Sequence, residues 1–555
     1  MSALKEIYHI ARADFLDRVR SYGFIIVLLI TIMGAYVFIP PTDANYITLV
    51  ISDTGASDLL NGGSDDSKPH DYYRGIYNSA WIGTNVAILT IILLSLFGFY
   101  LVKNAVDRDR RTGVGQIIAA SPVTKTRYIL GKALSNFSVF SVITFIMFLG
   151  AIGMQLLRGE SNVIDLWALA SPFLLLLLPG MALIASVAVF FESVPILRGG
   201  LGNIIYFFIW IALISTLPVT VMLTEQSSNE ILMFGDIFGW SIPLASMNQA
   251  IAAMYPGFGS GSVSAGFQIF EPPIYTFQWS GTEWSPLLLL TRVFWLLVAG
   301  LVAIAASVFF DRFDTAAILK SKKNKKGTVE IEEPKEHVKN VKELRLNTLL
   351  LENIRFGFLT ILAAELRLML KGQRWWWYTV SALLIVTGLF LPLDVSLKFI
   401  LPVAWVWPIL IWSSMGTREN IHNTSQLVFS APNPVRNQLP ATLLSGIIVA
   451  MVLGSGVLLH LIAAGSWMNV LAVLAGAVFA PSMALAMGVW TGNNRLFEII
   501  YLLVWYTGPV NGVKYFDFLG TTARSVAMGI PVYFLAFTAI LMILAVIGRK
   551  RQVGM

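Results

Sequence analysis

Apolar runs close to bilayer length recur along this chain, separated by polar breaks. A bilayer-crossing helix needs about 20 apolar residues without charge. Twelve windows meet or approach that: Tyr22–Ile39, Trp81–Val102, Ala133–Leu157, Leu166–Phe191, Leu201–Leu223 and Leu287–Phe310, then Trp375–Leu393, Phe399–Met415, Ala441–Ala464, Val470–Trp490, Leu496–Val510 and Ser525–Ile547. The window at Phe399 is the shortest clear one, and the one at Leu496 is the weakest because it carries Glu498. The pattern predicts an all-α polytopic membrane protein of twelve transmembrane helices. A different period precedes the first window. Leu4, Ile7, Tyr8, Ala11, Phe15 and Val19 fall at helical spacing among Lys5, Arg12, Arg18 and Arg20, which describes an amphipathic interfacial helix. Ala363–Leu370 begins its counterpart before the seventh window, followed by the belt Trp375–Tyr378. The first apolar run is too long for a signal-peptide core, so no cleavable signal is expected.

Composition agrees with lipid as the main solvent. Of the 555 residues, 56% are hydrophobic and only 13% charged, against about 25% charged in soluble chains. The formal charge of +7 would suggest nucleic acid only if it were spread over one soluble surface. Sorted by segment with the N-terminus inside, 32 of 39 Lys and Arg face the cytoplasm, against 17 of 32 acidic residues. That leaves +15 inside and −8 outside. The positive-inside rule therefore gives an N-in, C-in topology, and the charge reports orientation and not a nucleic-acid partner. With no Cys at all, disulfides, thiolate metal sites and Cys nucleophiles are excluded.

The two halves of the chain resemble each other. Arg108-Asp109, Gln116 and Pro122 recur as Arg418-Glu419, Gln426 and Pro432, each offset by 310 positions. Ala13-Asp14, ahead of the first window, recurs as Ala364-Glu365 with an offset of 351, and the difference of 41 is about the length of the extra loop after Ile39. Two parallel six-helix repeats are expected, at 1–311 and 342–555, joined by a charged cytoplasmic linker at 312–341 that includes Lys320–Lys326. The first half alone carries long external loops, 40–80 and 224–286. The first has Asp53, Asp58, Asp65, Asp66 and Asp71. The second is rich in aromatics such as Trp240, Tyr255, Phe258, Phe267, Phe270, Phe277, Trp279 and Trp284, which read mostly as interfacial residues, with Pro243 and Pro256 as breakers in a lid.

The cytoplasmic loop Asp107–Lys132 has an internal pattern of its own. Charged Asp107–Arg111 and a hinge at Gly113-Val-Gly115 lead to the short apolar segment Gln116–Ala120, and Pro122 stops it. Such an element suits either insertion into a groove on a cytoplasmic partner or a place as a surface helix lying on headgroups, and its recurrence at the same offset in the second half favours the partner. The stretch DRDRRTGVGQIIAASPVTKTRYILGKAL resembles the cytoplasmic loop of type-2 ABC exporter permeases. So does the six-helix plan, with its amphipathic first helix, its long loop between second and third spans and its external excursion between fifth and sixth. The resemblance implies a coupling helix that docks on a separate ATPase subunit. The residues it assigns are Asp107, Arg108, Asp109, Gln116, Ile117, Ser121, Pro122 and Val123, with Arg418, Glu419, Gln426, Leu427 and Pro432 in the second half. The second loop departs from the pattern: it lacks the Gly pair and the basic cluster, and Ala441-Thr442 stands where Gly131-Lys132 does.

No chemistry is expected in the chain itself. There is no phosphate-binding GxxxxGK[ST], no HExxH and no GxSxG, and the five His (His9, His70, His337, His422 and His460) are scattered. ATP and Mg belong to the partner, with two ATPase copies expected and no cofactor or metal in this chain. Window centres are nearly free of ionisable residues, which disfavours ion coupling. Arg292 and Arg524 read as snorkelling at outer helix ends, and Glu192 as a partner for Arg198. The expectation is an ATP-driven exporter permease in a bacterial cytoplasmic membrane, moving a lipid, peptide or hydrophobic drug. The alternative is a non-ABC membrane protein, such as an ion-coupled transporter or a scaffold.

Overall fold

The computed structural model describes residues 3–20, 22–42, 44, 46–53, 72–161, 163–226, 234–256, 258, 261–269, 274–313, 357–371, 373–430 and 433–554. Asp58, Asp65, Asp66, Asp71, Phe270, Pro432 and the linker from 314 onward lie outside them. The chain divides into two compact units, residues 1–326 and 327–555. The division falls within the stretch 312–341.

The first unit begins with α1 (Ala3–Val19) and α2 (Tyr22–Phe38). Helix α3 (Ser79–Leu93) continues through a π turn, Leu94–Gly98, into Phe99–Val102. Short helices α4 (Ala105–Arg111) and α5 (Val114–Ala120) follow. Then come α6 (Lys125–Arg158), α7 (Leu166–Ser193), α8 (Gly200–Gln226), α9 (Ser241–Met254) and α10 (Pro286–Phe309). The 34 residues of α6 make a rod of about 50 Å at 1.5 Å per residue, well beyond a bilayer core of about 30 Å. Its surplus is the polar first turns, Lys125 to Lys132, started by a Thr124 cap that accepts from the Arg127 amide at 3.4 Å. Helix α3 meets α7 backbone to backbone at Gly83, where a Cβ would stand 2.5 Å from the Leu169 carbonyl oxygen. Small residues allow such close crossings when lipid offers no hydrophobic drive between helices.

A π turn leaves carbonyls without their usual helical partners. In α3 the Ser95 carbonyl accepts from the Tyr206 hydroxyl at 2.5 Å, and the Ser95 hydroxyl accepts from Trp210 Nε1 at 2.9 Å. The second unit repeats this linkage. It comprises α11 (Phe358–Leu370), α12 (Trp375–Phe390), α13 (Leu393–Trp412), α14 (Arg418–Ile421), α15 (Ser425–Phe429), α16 (Pro434–Ala463), α17 (Trp467–Thr491), α18 (Arg495–Trp505) and α19 (Ile530–Gly554). There the Tyr501 hydroxyl donates to the Trp405 carbonyl at 2.9 Å and Trp505 Nε1 to the Pro402 carbonyl at 2.8 Å. The donors are again a Tyr and a Trp four residues apart, and Trp405 lies 310 positions after Ser95.

All twelve apolar windows are mainly helical where described, with breaks at Leu391-Pro392, Trp407-Pro408 and Met528-Gly529. Eight helices among the described residues are long and apolar enough to cross a membrane; Val27–Phe38, Gly200–Ile214 and Trp375–Phe390 are shorter apolar helices, and α18 has 11 residues.

The excursions of the first unit are not all loop. Strands β1 (Tyr46–Asp53), β2 (Tyr72–Gly75), β3 (Gly261–Ile269) and β4 (Ile274–Phe277) form one sheet in the order β3-β1-β2-β4, with β2 and β4 parallel. Ile51 pairs with Tyr73 and Tyr46 with Ile269, so the stretches expected as separate external loops build one small domain, an exception to the all-α expectation. Trp240, Phe258, Phe277 and Trp279 are buried there rather than dipped into an interface, with Phe277 edge-on to Trp81 at 5.6 Å. Pro243 sits in the first turn of α9, a position a helix tolerates, and breaks nothing. Glu160 ties the sheet to the end of α6, accepting from both Arg74 guanidinium nitrogens at 2.9 and 3.1 Å and from the Tyr77 amide at 2.7 Å. Burial pushes the Glu160 carboxyl up, but these bonds outweigh it and hold it below the ordinary range. Arg292 does not snorkel: it is 2% exposed and donates to the Asp236 and Ile237 carbonyls, whereas Arg524 is exposed.

Candidate functional site

The first loop is built on an anion at a helix N-terminus. Glu192, at the end of α7, accepts from the amides of Ala105, Val106 and Asp107 at 3.1, 2.7 and 3.0 Å. A buried carboxylate there satisfies three unpaired amides of α4 and complements the helix dipole. Glu192 therefore caps the loop helix with its carboxylate; Arg198 donates to its backbone carbonyl instead. Gly113 then turns the chain with φ 80° and starts α5.

Of the charged residues assigned to docking in this loop, Arg108 and Asp109 turn inward. Arg108 holds Asp14 and Asp17 of α1, each at 2.6 Å. Asp109 is buried and receives the Tyr128 hydroxyl at 2.7 Å and the Lys132 ammonium at 2.8 Å. Lys132 also reaches Asp14 at 2.7 Å, and Ser135 donates to Asp14 at 2.7 Å. Burial raises the Asp14 carboxyl, but Arg18 and Lys132, with the bonds from Lys132 and Ser135, bring it down to about 2. Asp107 pairs with Arg111 at 2.8 Å on the outer side of α4. These groups fasten the loop to α1 and α6.

Helix α5 is held from behind and bare in front. Gly115 is buried, and a Cβ there would meet the Phe313 ring at 2.7 Å, so this glycine is a contact point and not a hinge. Phe313 and Phe310, just past α10, pack with Tyr128, Ile129, Val106 and Val189, and Ile118, Ala119 and Val123 lean on that core. Arg312 donates to the Ser121 carbonyl at 2.6 Å, and Arg110 pairs with Asp311 at 3.0 Å. Ser121 closes α5 through its own hydroxyl to the Ile118 carbonyl. Gln116 and Pro122 are exposed, and Ile117 is 71% exposed.

The second loop has the same plan with different side chains. Arg418 pairs with Glu365 of α11 at 3.1 Å. Glu419 is buried and accepts from Gln438 Nε2 at 2.8 Å, and Gln438 is 310 positions after Tyr128. Gln426 is exposed and Leu427 is 77% exposed on α15, matching Gln116 and Ile117. The residues that sequence reasoning missed are those that position the loops: Asp14, Glu192, Phe313, Gln438 and Arg549. In the sequence Asp14 and Glu365 stand out only as markers of the repeat, and Arg549 only as one charge among the last residues.

The model of the ABC-2 family transporter protein matches residues 8–315, more than half of the chain. The chain belongs to the ABC-2 transporter family. It is the multi-pass membrane component of an ABC transporter, a family that partners with an ATPase subunit, and it is a transport component rather than a catalyst. The matched span begins within α1 and ends just after Phe313, so it contains the whole first cluster and its loop. No curated protein matches the chain.

Proposed function

We propose that this chain is a fused pair of permease halves, twelve helices N-in and C-in, whose two loops each dock one copy of a cytoplasmic ATPase subunit. The reading extends to export of an amphipathic or hydrophobic substrate, a lipid, peptide or drug, across a bacterial cytoplasmic membrane. ATP and Mg stand on the partner. One observation carries it: Ile117 and Leu427, 310 positions apart, are bare apolar side chains on short helices, each following a helix tied down by a matching ion pair, Arg108–Asp14 and Arg418–Glu365. Unpartnered apolar side chains presented in water on rigid supports favour insertion into a groove. Duplication is supported twice over, by the Asp14–Arg108 and Glu365–Arg418 pairs and by the Tyr bonds from Tyr206 to Ser95 and from Tyr501 to Trp405. Among the described residues, the buried charges sit at helix ends and loops, such as Asp14, Lys132, Glu192, Glu419 and Arg549. None marks an ion path at mid-span. Apolar span centres likewise favour a cargo without strong charge.

The test is affinity purification of the full chain in detergent with Mg-ATP. The expected result is a co-purifying ATPase subunit that is lost in the Ile117→Asp, Leu427→Asp double variant while the permease stays monodisperse. Transport driven by a proton or sodium gradient without ATP overturns the reading.

A further inference from the structure

The first unit gives its buried loop carboxylate a cation from the third helix of the half: Lys132 of α6 lies 2.8 Å from Asp109. The second unit has nothing to offer there. The matching position is Thr442, whose hydroxyl donates back to the Gln438 carbonyl of its own helix at 3.1 Å. Glu419 is nonetheless 8% exposed, and Gln438 brings it no charge. A carboxylate so removed from water is retained only with a counter-charge or as the neutral acid. The counter-charge comes from the other end of the sequence. Arg549, in the last turns of α19 and 2% exposed, places Nη2 3.3 Å from Glu419 Oε1.

We propose that Arg549 is the positioning cation of the second loop, doing from the last helix what Lys132 does from the third helix in the first unit. This rests on the reading of that loop as an ATPase-coupling element. The same guanidinium lies over the Phe429 ring, 5.0 Å from its centroid, and Phe429 is the last residue of α15. Arg549 thus grips the loop at both of its helices, the acid of α14 and the aromatic end of the exposed α15. Its own place is fixed. Nη1 bonds Gln552 at 3.1 Å, Gln552 Nε2 donates to the Val489 carbonyl at 2.7 Å, and Gly548 lies against Val489 and Trp490 so closely that a Cβ would stand 2.8 Å away. Its basic neighbour Arg551 stacks over Trp490 instead, at 5.4 Å.

The last helix of each unit therefore meets its loop with opposite polarity. In the first unit the helix end carries the acid, Asp311, and the loop the base, Arg110. In the second, Asn420 occupies the position of Arg110 and the helix end carries the base. A displacement of α15 pulls directly on α19 through one buried guanidinium, a rigid tie that Lys132 makes to α6 in the first unit. The missing basic cluster of the second loop is thereby a relocation of charge and not a loss of the brace.

Amide hydrogen exchange reports each loop in the purified full chain without any ATPase. Arg549→Gln is expected to speed exchange across Ser425–Phe429 about tenfold, the scale of coupling within one ion-pair network. Across Val114–Ala120 the same change leaves exchange within about twofold. Arg549→Lys keeps the exchange of Ser425–Phe429 near the parent. Adding Thr442→Lys to Arg549→Gln brings it back, because it puts an ammonium where Lys132 stands in the first unit. Unchanged exchange of Ser425–Phe429 in Arg549→Gln, equal acceleration in both loops, or no recovery with Thr442→Lys overturns the proposal. Loss of the docking reading is seen separately, as absence of a co-purifying ATPase with these rates behaving as expected.

Discussion

Asp14 shows how one buried side chain organises a surface that it never reaches. It is 5% exposed and receives Arg18, Arg108, Lys132 and Ser135, so α1, the first loop and α6 meet on a single carboxylate. Removing one member of a buried charge set leaves the others uncompensated, at about 3–5 kcal/mol. Asp14→Asn is expected to cost that much, read as a lower midpoint in chemical unfolding of the detergent-solubilised chain. The acid form tells the same story with pH. Because the folded carboxyl sits at about 2, below its ordinary 3.8, its contribution is present above pH 4 and is lost as pH falls toward 2. An unfolding midpoint that is flat from pH 5 to 7 and drops between pH 4 and 2, with a smaller drop in Asp14→Asn, is the expected outcome. Very little of this cluster was legible in the sequence. The matched Asp14 and Glu365 were visible as letters, but that they lie within 3.1 Å of the matched arginines depends on helices brought together by the fold.

At the scale of elements, the periodic signals were strong where an element had to satisfy its own backbone in lipid. The twelve apolar windows are mainly helical, eight of the helices among the described residues being long enough to cross a membrane, and the Gly113 turn and the Pro122 stop bracket α5 as the spacing predicts. What the pattern did not carry was tertiary context. Strands β1 and β3 pair residues more than 200 positions apart, and no local rule reports such pairing. Gly115 read as flexibility and is instead a close contact. A side chain there must displace Phe313, so Gly115→Val is expected to destabilise the unit by about 1–3 kcal/mol and to free α5, measured as increased protease cleavage after Arg111. The exposed tips behave differently. Ile117→Asp and Leu427→Asp should leave thermal unfolding unchanged, since neither side chain packs inside its unit. Each should weaken ATPase binding by about ten- to hundredfold, the value of burying one such side chain at 1.5–3 kcal/mol. Titration of purified ATPase subunit against immobilised permease reads both.

Across the whole molecule, the sequence read as one design written twice, and each unit carries the loop, the brace and the Tyr–Trp linkage. The two units differ in their excursions, where among the described residues only the first builds a sheet, and in where the brace takes its cation. The proposed orientation rests on charge sorted by side. Ser280→Cys, in the excursion, is expected to react with an impermeant maleimide added outside intact cells, and Ser430→Cys, beside α15, only after the membrane is opened. The central claim is that both exposed tips seat on an ATPase subunit. Its most direct test is site-specific cross-linking in native membranes from Ile117→Cys and from Leu427→Cys, one at a time. An adduct with the same ATPase subunit from each position, and none from Ser280→Cys, is the predicted result; cross-links from neither tip would contradict the account.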